Sequence, residues 1–391
     1  MRTAAIILNW LIALLWAWRT TSARRNLPKL PDLLKESITT EQTPQPQITV
    51  IVPARNEEQA IEQTLRSLFA QQNISIEILA VNDRSTDQTG EIMDRIAAEG
   101  RAKGRSISVI HIQELPAGWM GKTHAMALAA RQATAPWLLF TDGDILFRED
   151  CLSRALSYAE READHLVIFP TLVFKSAGER MMVSSFQVLA FLSQRPWKVS
   201  DPKNRESIGI GAFNLIRTDV YRSIGGYEGH RMEVLEDIKL GYRVKSHGFR
   251  QRIVFGRDLI RVHWAAGTLG IVRNLTKNVF AVFRFNPLLL LAACIAIAAF
   301  CLMPFLGLFG PWGMLTASIL ALGSSLEMYR YCERRMNGIP TGYVFLLPVA
   351  ACIIVYMLLR SMIVTLVRGG VVWRGTFYPL AELRKNAGPL R

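Results

Sequence analysis

Two short acidic runs and one lysine carry most of the chemistry that the residue types of this chain allow. Asp142 and Asp144 stand one residue apart in Phe140-Thr141-Asp142-Gly143-Asp144, where the apolar run Leu138-Leu139-Phe140 stops. Carboxylates this close repel each other in a low dielectric unless a cation lies between them, and a divalent metal carrying an anionic ligand is one natural occupant. A simple turn built on Gly143 is the structural alternative for the tripeptide alone. Glu236 and Asp237 head the helical pattern from Ile238 to Ser246, where a helix N-terminus favours an ionised carboxylate. Asp237 is the first candidate for a base that takes a proton from a hydroxyl, and Glu236 the second; first-turn helix charge is the bland reading of both. Lys122 lies in Gly118-Trp119-Met120-Gly121-Lys122-Thr123-His124, just before a helical pattern. That marks a place for a phosphate, although the glycine spacing excludes a P-loop.

The elements that must position these residues alternate regularly. Strands are predicted at 48–53, 76–82, 107–112 and 137–141, with helical patterns at 57–71, 87–98 and 124–132 between them. Continuous apolar strands in β-α-β order give an α/β fold, a mostly parallel sheet with helices on both faces. Ligands bind such sheets at the carboxyl ends of the strands. Pro53-Ala54-Arg55-Asn56-Glu57 follows the first strand and Asn82-Asp83-Arg84-Ser85-Thr86-Asp87 the second. Helix capping by Asn56 and by Ser85 or Asp87 explains one polar residue at each place but not the set, and Asp83 is suited to accept hydrogen bonds from a base or ribose.

This ordered set, from PARNE through NDRSTD, GWMGK and TDGD to Leu235-Glu236-Asp237, resembles the inverting family 2 glycosyltransferases of GT-A nucleotide-sugar fold over residues 48–270. The resemblance implies that Pro53, Arg55, Glu57, Asp83, Lys122 and Asp142 bind the donor nucleotide, that Asp144 with Asp142 serves the metal, and that Asp237 is the catalytic base. It also implies a UDP-sugar donor and Mn2+ or Mg2+. The segment Ile208 to Ile216 resembles the acceptor-side wall, with Asn214 and Arg217 as possible contacts. The chain departs from the family at its last motif, where Arg261-Val262-His263-Trp264 replaces the expected pattern. Arg273 and Lys277, just beyond, are either contacts to the donor diphosphate or charges that anchor a helix at the lipid surface.

Composition places this machinery at a membrane. Half of the 391 residues are hydrophobic, and the apolar excess gathers at the two ends. The net charge of +14 clusters near those ends, as in Arg19, Arg24, Arg25, Lys29 and Lys35, so an anionic membrane surface is the expected electrostatic partner rather than nucleic acid. The expected order is an N-terminal membrane anchor over 1–25, a Pro-containing tether over 26–47, the transferase domain over 48–270 and an amphipathic interfacial segment over 271–286. A transmembrane or re-entrant region over 287–370 and a basic tail over 371–391 complete it. A signal peptide cut near Ala23 is the alternative for the first segment. Pro348 and Arg360 interrupt the last apolar run, so a re-entrant hairpin around Pro348 or a surface helix is expected there. The positive-inside rule puts the domain on the cytoplasmic side of the inner membrane in a multi-pass chain. Anchorage at both ends suits a bilayer-dissolved acceptor, so transfer of one sugar to a membrane lipid is expected, as in carotenoid, hopanoid or ceramide-type relatives. A processive exopolysaccharide synthase and a non-catalytic scaffold are the alternatives.

Overall fold

The computed structural model describes residues 2–387, which divide into two compact units. One unit, Leu30–Leu172 with Pro196–Val262, holds the main sheet. Its seven strands are β1 (Ile48–Ala54), β2 (Ile76–Asp83), β3 (Ser106–Ile112), β4 (Trp137–Phe140), β5 (His165–Ile168), β6 (Asn214–Arg217) and β7 (Gln251–Val254), in the order β3-β2-β1-β4-β6-β5-β7. The first four run parallel, β6 pairs antiparallel with both β4 and β5, and β7 is parallel to β5. Every residue of β1, β4 and β5 is buried, which is why these strands read as unbroken apolar runs.

Alternation along each strand sorts the core into two layers. Val50, Val52 and Leu139 point to the face covered by the Ile61–Phe69, Thr89–Ala102 and Cys151–Glu162 helices. Ile51, Leu138 and Phe140 point to the other face, covered by Gly121–Gln132 and Glu236–Ser246. The expected α/β sheet is thus formed, with one difference in detail: it has more strands than the four expected, among them the antiparallel Asn214–Arg217, which takes up the end of segment 208–216. A second difference is the tether. Leu33 is fully buried, Asp32 bridges to Phe255, and Thr39 and Thr40 donate their backbone N–H groups to Ser157 Oγ at 3.0 and 2.9 Å. These bonds bind residues 30–40 to the sheet unit, so this part of the expected tether is held in place rather than free.

The other unit comprises residues up to Lys29, Val173–Arg195 and His263–Arg384. The Arg2–Asn26 helix packs along Trp312–Cys332, and Pro287–Leu306 along Leu347–Arg368. Asn9 donates to Ser318 Oγ and the Met314 carbonyl, both at 2.9 Å, and Trp16 stacks on Phe300 at 4.6 Å. Among the described residues three helical stretches are long and apolar enough to cross a membrane: Arg2–Lys29, Pro287–Phe309 and Thr341–Arg368. Pro348 occupies the first turn of the continuous Leu347–Arg368 helix, where a missing N–H costs nothing, so the hairpin expected around it does not form. Buried Glu179 is the polar hub of this unit. Its carboxylate accepts N–H bonds from Lys175 and Gly267, both at 2.7 Å, and meets His263 Nε2 at 3.3 Å.

Candidate active site

The carboxyl ends of β1, β2 and β4 bring the polar motifs together. After β1 and β2 the chain turns through Asn56 and Arg84, both in the left-handed region at φ 56° and 55°. Asn56, Ser85 and Asp87 do not simply cap helices as expected. Asn56 Oδ1 accepts the Thr86 N–H at 2.8 Å while the Asn56 N–H donates to Ser85 Oγ at 3.1 Å, and Asp87 accepts from Glu58 and Thr89. The two loops are laced to each other, which fixes the Pro53-Ala54-Arg55 and Asp83-Arg84 ends side by side. Pro53 pairs with Val81 in the last part of the sheet, and Glu57 holds its place by donating its N–H to Thr89 Oγ1 at 2.8 Å.

Asp83 is buried at the end of β2, and Arg84 folds its guanidinium back on it, with Nε 2.7 Å from Oδ1. A side chain at Gly121 would collide with Asp83 Oδ2, so glycine is what lets the nucleotide-motif carboxylate touch the turn bearing Lys122. That turn is anchored by Thr123, whose hydroxyl donates to the Arg231 carbonyl at 2.6 Å, and by the Arg231 guanidinium over the Trp119 ring.

Lys122 is the centre of the site. Its Nζ lies 2.6 Å from Asp142 Oδ1 and 2.6 Å from Glu236 Oε1. Burial pulls the ammonium down, but Asp142, Glu236 and Asp237 outweigh it and hold Lys122 well above the usual lysine range. Asp237 Oδ2 accepts the Gly211 N–H at 2.8 Å and Oδ1 the Ile238 N–H at 2.7 Å, at the N-terminus of its helix. Burial first, then the Glu236 charge, push the Asp237 carboxyl up to about 7. Residue 211 must be small, since a Cβ there would stand 2.7 Å from Asp142 Oδ2 and 3.3 Å from Lys122 Nζ. A Cβ at Gly209 would strike the Asp237 carbonyl, so this glycine too makes room for the segment that carries the carboxylate.

Asp144 presents a different environment. Burial, then Asp142 and Glu57, push its carboxyl up to about 7. A divalent cation at Asp144 would relieve that crowding. Among the described residues no three His, Cys, Asp or Glu side chains form a closed metal cage. The donor set therefore fits a cation held by one carboxylate, or two, and completed by water and substrate oxygens, the usual manner for Mg2+ and Mn2+.

Of the other expected contacts, two are engaged within the sheet unit and two belong to the helical unit. Asn214 is fully engaged in the core, its amide bonded to His165 and the Ile210 carbonyl, and Arg217 pairs with Asp219 and Asp164. Arg273 and Lys277 belong to the helical unit, where they line a cavity with Arg360 and Arg368. His263, an alternative diphosphate contact, is held by Glu179. The lacing of the two loops and the Gly211–Asp237 bond escaped sequence reading; the only signal was the pairing of Asn and Ser at equivalent strand ends.

Residues 49–225 match Glycosyl transferase family 2. The 4,4'-diaponeurosporenoate glycosyltransferase of Staphylococcus aureus strain USA300 is 24% identical over 197 residues, 50% of each chain, so the chain spans about half the length of the curated relatives it matches. Among solved structures, the mannosyltransferase PcManGT from Pyrobaculum calidifontis in complex with GDP-Man and Mn2+ is 19% identical with a TM-score of 0.48, covering 93% of this chain and 98% of that one. Staphylococcus aureus TarS 1-349 in complex with UDP-GlcNAc is 15% identical with a TM-score of 0.41, covering 85% and 95%.

Proposed function

We propose that this chain, whose residues 49–225 match Glycosyl transferase family 2, is an inverting glycosyltransferase that moves one sugar from a nucleotide sugar, UDP-linked in our reading, to a lipid acceptor in the membrane. The observation that carries this reading is the cluster in which Lys122 is gripped by Asp142 and Glu236 at 2.6 Å beside an Asp237 oriented by two backbone N–H groups. A lysine so placed offers charge to a departing diphosphate, and preorganised charge of this kind is usually the largest catalytic contribution. A divalent cation at Asp144, with Asp142, would neutralise the diphosphate oxygens.

The remaining roles follow from position. Asp83, with Pro53, Arg55 and Glu57 around the laced loops, would hold the nucleoside. Asp237 takes the proton of the attacking hydroxyl, since its carboxyl titrates near neutrality and can both accept and release a proton there. Glu236, locked to Lys122, orients the lysine instead of serving as the base. The three helical stretches able to cross a membrane support a lipid acceptor, and the basic run Arg19, Arg24 and Arg25 supports a cytoplasmic face of the inner membrane for the domain.

The purified chain, supplied with Mn2+ or Mg2+, a panel of UDP-sugars and membrane lipid extract, is expected to release UDP and give a lipid heavier by one sugar. A sugar polymer in place of that product, or UDP release undiminished in Asp237→Asn, would refute the reading.

A further inference from the structure

The carboxylates of the site belong to separate stretches of chain, and two routes join them. One runs through side chains, from Asp142 by way of Lys122 to Glu236, with 2.6 Å on each side of the ammonium. The other runs through the backbone and starts one residue earlier. Thr141, buried just past the end of β4, donates its hydroxyl to the Ala212 carbonyl at 2.8 Å. Ala212 lies in a tight turn, closed by the Phe213 N–H on the Ile210 carbonyl at 2.9 Å. Gly211, the residue before it in that turn, donates its N–H to Asp237 Oδ2 at 2.8 Å. The Asn214 amide adds a second donor to the Ile210 carbonyl at 2.7 Å, and Thr141 itself is fixed by its N–H on the Ile51 carbonyl of β1 at 3.2 Å. The two routes meet at Asp142 on one side and at Glu236-Asp237 on the other, and so close a ring.

A substrate would act differently on the two routes. Lys122 and Asp142 are groups that a sugar nucleotide engages on the transferase reading, so donor binding competes for the side-chain route. The Thr141 bond joins a buried hydroxyl to a backbone carbonyl and is left intact. We propose that Thr141 is a positioning residue: through the Ala212 carbonyl and the Gly211 N–H it keeps the Asp237 carboxylate aligned with Asp142 while Lys122 serves the leaving group. The inference rests on the transferase reading above. At the opposite end of the antiparallel β4–β6 pair, Thr218 donates its hydroxyl to the Ala135 carbonyl at 2.7 Å, the same bond in the position related by the pairing. Both threonines are buried and both fasten an end of one strand pair. Only the bond of Thr141 leads on to Asp142 and Asp237, so a purely structural role would make the two equivalent and a positioning role sets them apart.

Matched variants of the full chain test it, because valine keeps the shape of threonine without its hydroxyl. Thr141→Val and Thr218→Val each take the hydroxyl donor from a carbonyl, and similar falls in the thermal unfolding midpoint are expected. In UDP release with saturating UDP-sugar and membrane lipid extract, Thr141→Val is expected to lower kcat about thirtyfold. KM for the UDP-sugar should stay within about twofold, since the loops around Asp83 remain laced. Thr218→Val should keep kcat within about twofold, and Thr141→Ser, which retains the donor, should restore most of the loss. Thr141→Cys, a weaker donor of similar size, is expected to lower kcat about fivefold and keeps the test decisive if Thr141→Val does not fold. Equal kcat in Thr141→Val and Thr218→Val, a rise in KM in place of the fall in kcat, native kcat in Thr141→Cys, or no recovery in Thr141→Ser would overturn the inference and leave the transferase reading standing. A native chain that releases no UDP from any UDP-sugar would overturn both.

Discussion

Around Lys122, one ammonium is met by two carboxylates at 2.6 Å, with a third carboxylate, Asp237, tied down by backbone N–H groups. Around Arg360, three arginines and Lys277 line a cavity in whose wall, among the described residues, no Asp or Glu stands. The first region supplies its own countercharge, so its geometry is set before any ligand arrives; in the second the Arg360 guanidinium meets a neutral hydroxyl, that of Thr276. Preorganisation suits a step in which charge must be met as it forms.

The largest test of the first half of that contrast is Asp237→Asn. Losing a general base is expected to lower kcat about a thousandfold in UDP-release assays, with the donor still bound. For the native chain, kcat should fall tenfold per pH unit below about 7, since the base works only when ionised. Stability runs the other way. A folded pKa raised above the unfolded value favours the neutral acid, so this contribution is complete below about pH 4 and is lost as pH rises through 7. Asp237→Asn should therefore raise the unfolding midpoint at pH 8 while abolishing turnover.

The next test applies one kind of substitution to both regions. Lys122→Met leaves Asp142 and Glu236 without their cation and is expected to cost about 2–3 kcal/mol in denaturant unfolding, discounted because Lys122 is a quarter exposed. Adding Glu236→Gln should restore part of it. Arg360→Met instead removes one cation from among cations, and the midpoint should stay level or rise. A fall as large as that of Lys122→Met would erase the contrast.

Glu179 shows that the helical unit balances charge when the charge is structural. Burial pushes its carboxyl up, but N–H groups of Lys175 and Gly267, with Ser176 and His263, prevail and hold it down at about 2. Its folded pKa lies below the unfolded one, so the contribution is present above about pH 4 and is lost as pH falls toward 2. Glu179→Gln is expected to cost about 2 kcal/mol at pH 7, less than half of that at pH 3 and almost nothing below pH 2, read from the unfolding midpoint.

The parallel half of the sheet was legible because its period is local: Val50, Ile51 and Val52 alternate faces yet are all apolar, and each strand end is polar. The acidic residues and Lys122 were legible for the same reason, as side chains that chemistry singles out. What stayed hidden depends on contacts between distant segments. Asn56 looks like a cap, and only its neighbour at position 86, thirty residues on, makes it a brace. Residues 30–40 look like a tether because their bonds go to Ser157 and Phe255, which nothing nearby announces. Pro348 looks like a break until the helix is known to begin one residue earlier.

Gly211 is where local and distant information meet, and it carries the smallest expected effect. Its N–H holds Asp237, and a methyl group added there would stand 2.7 Å from Asp142 Oδ2 and 3.3 Å from Lys122 Nζ. Both are ends of movable side chains, so Gly211→Ala should fold and yield by shifting Asp142 a few tenths of an ångström from Lys122. The backbone bond to Asp237 survives that shift, so the base keeps its orientation while the lysine loses one of its two anchors. Misplacing a positioning group without removing it is expected to lower kcat about tenfold with little change in stability, as measured by UDP release and thermal unfolding of the same sample. If kcat instead fell as far as in Asp237→Asn, the Lys122 geometry would be as necessary as the base itself. If kcat did not change, the close packing around Lys122 would be structural, and the preorganisation argued for this region would lose its support.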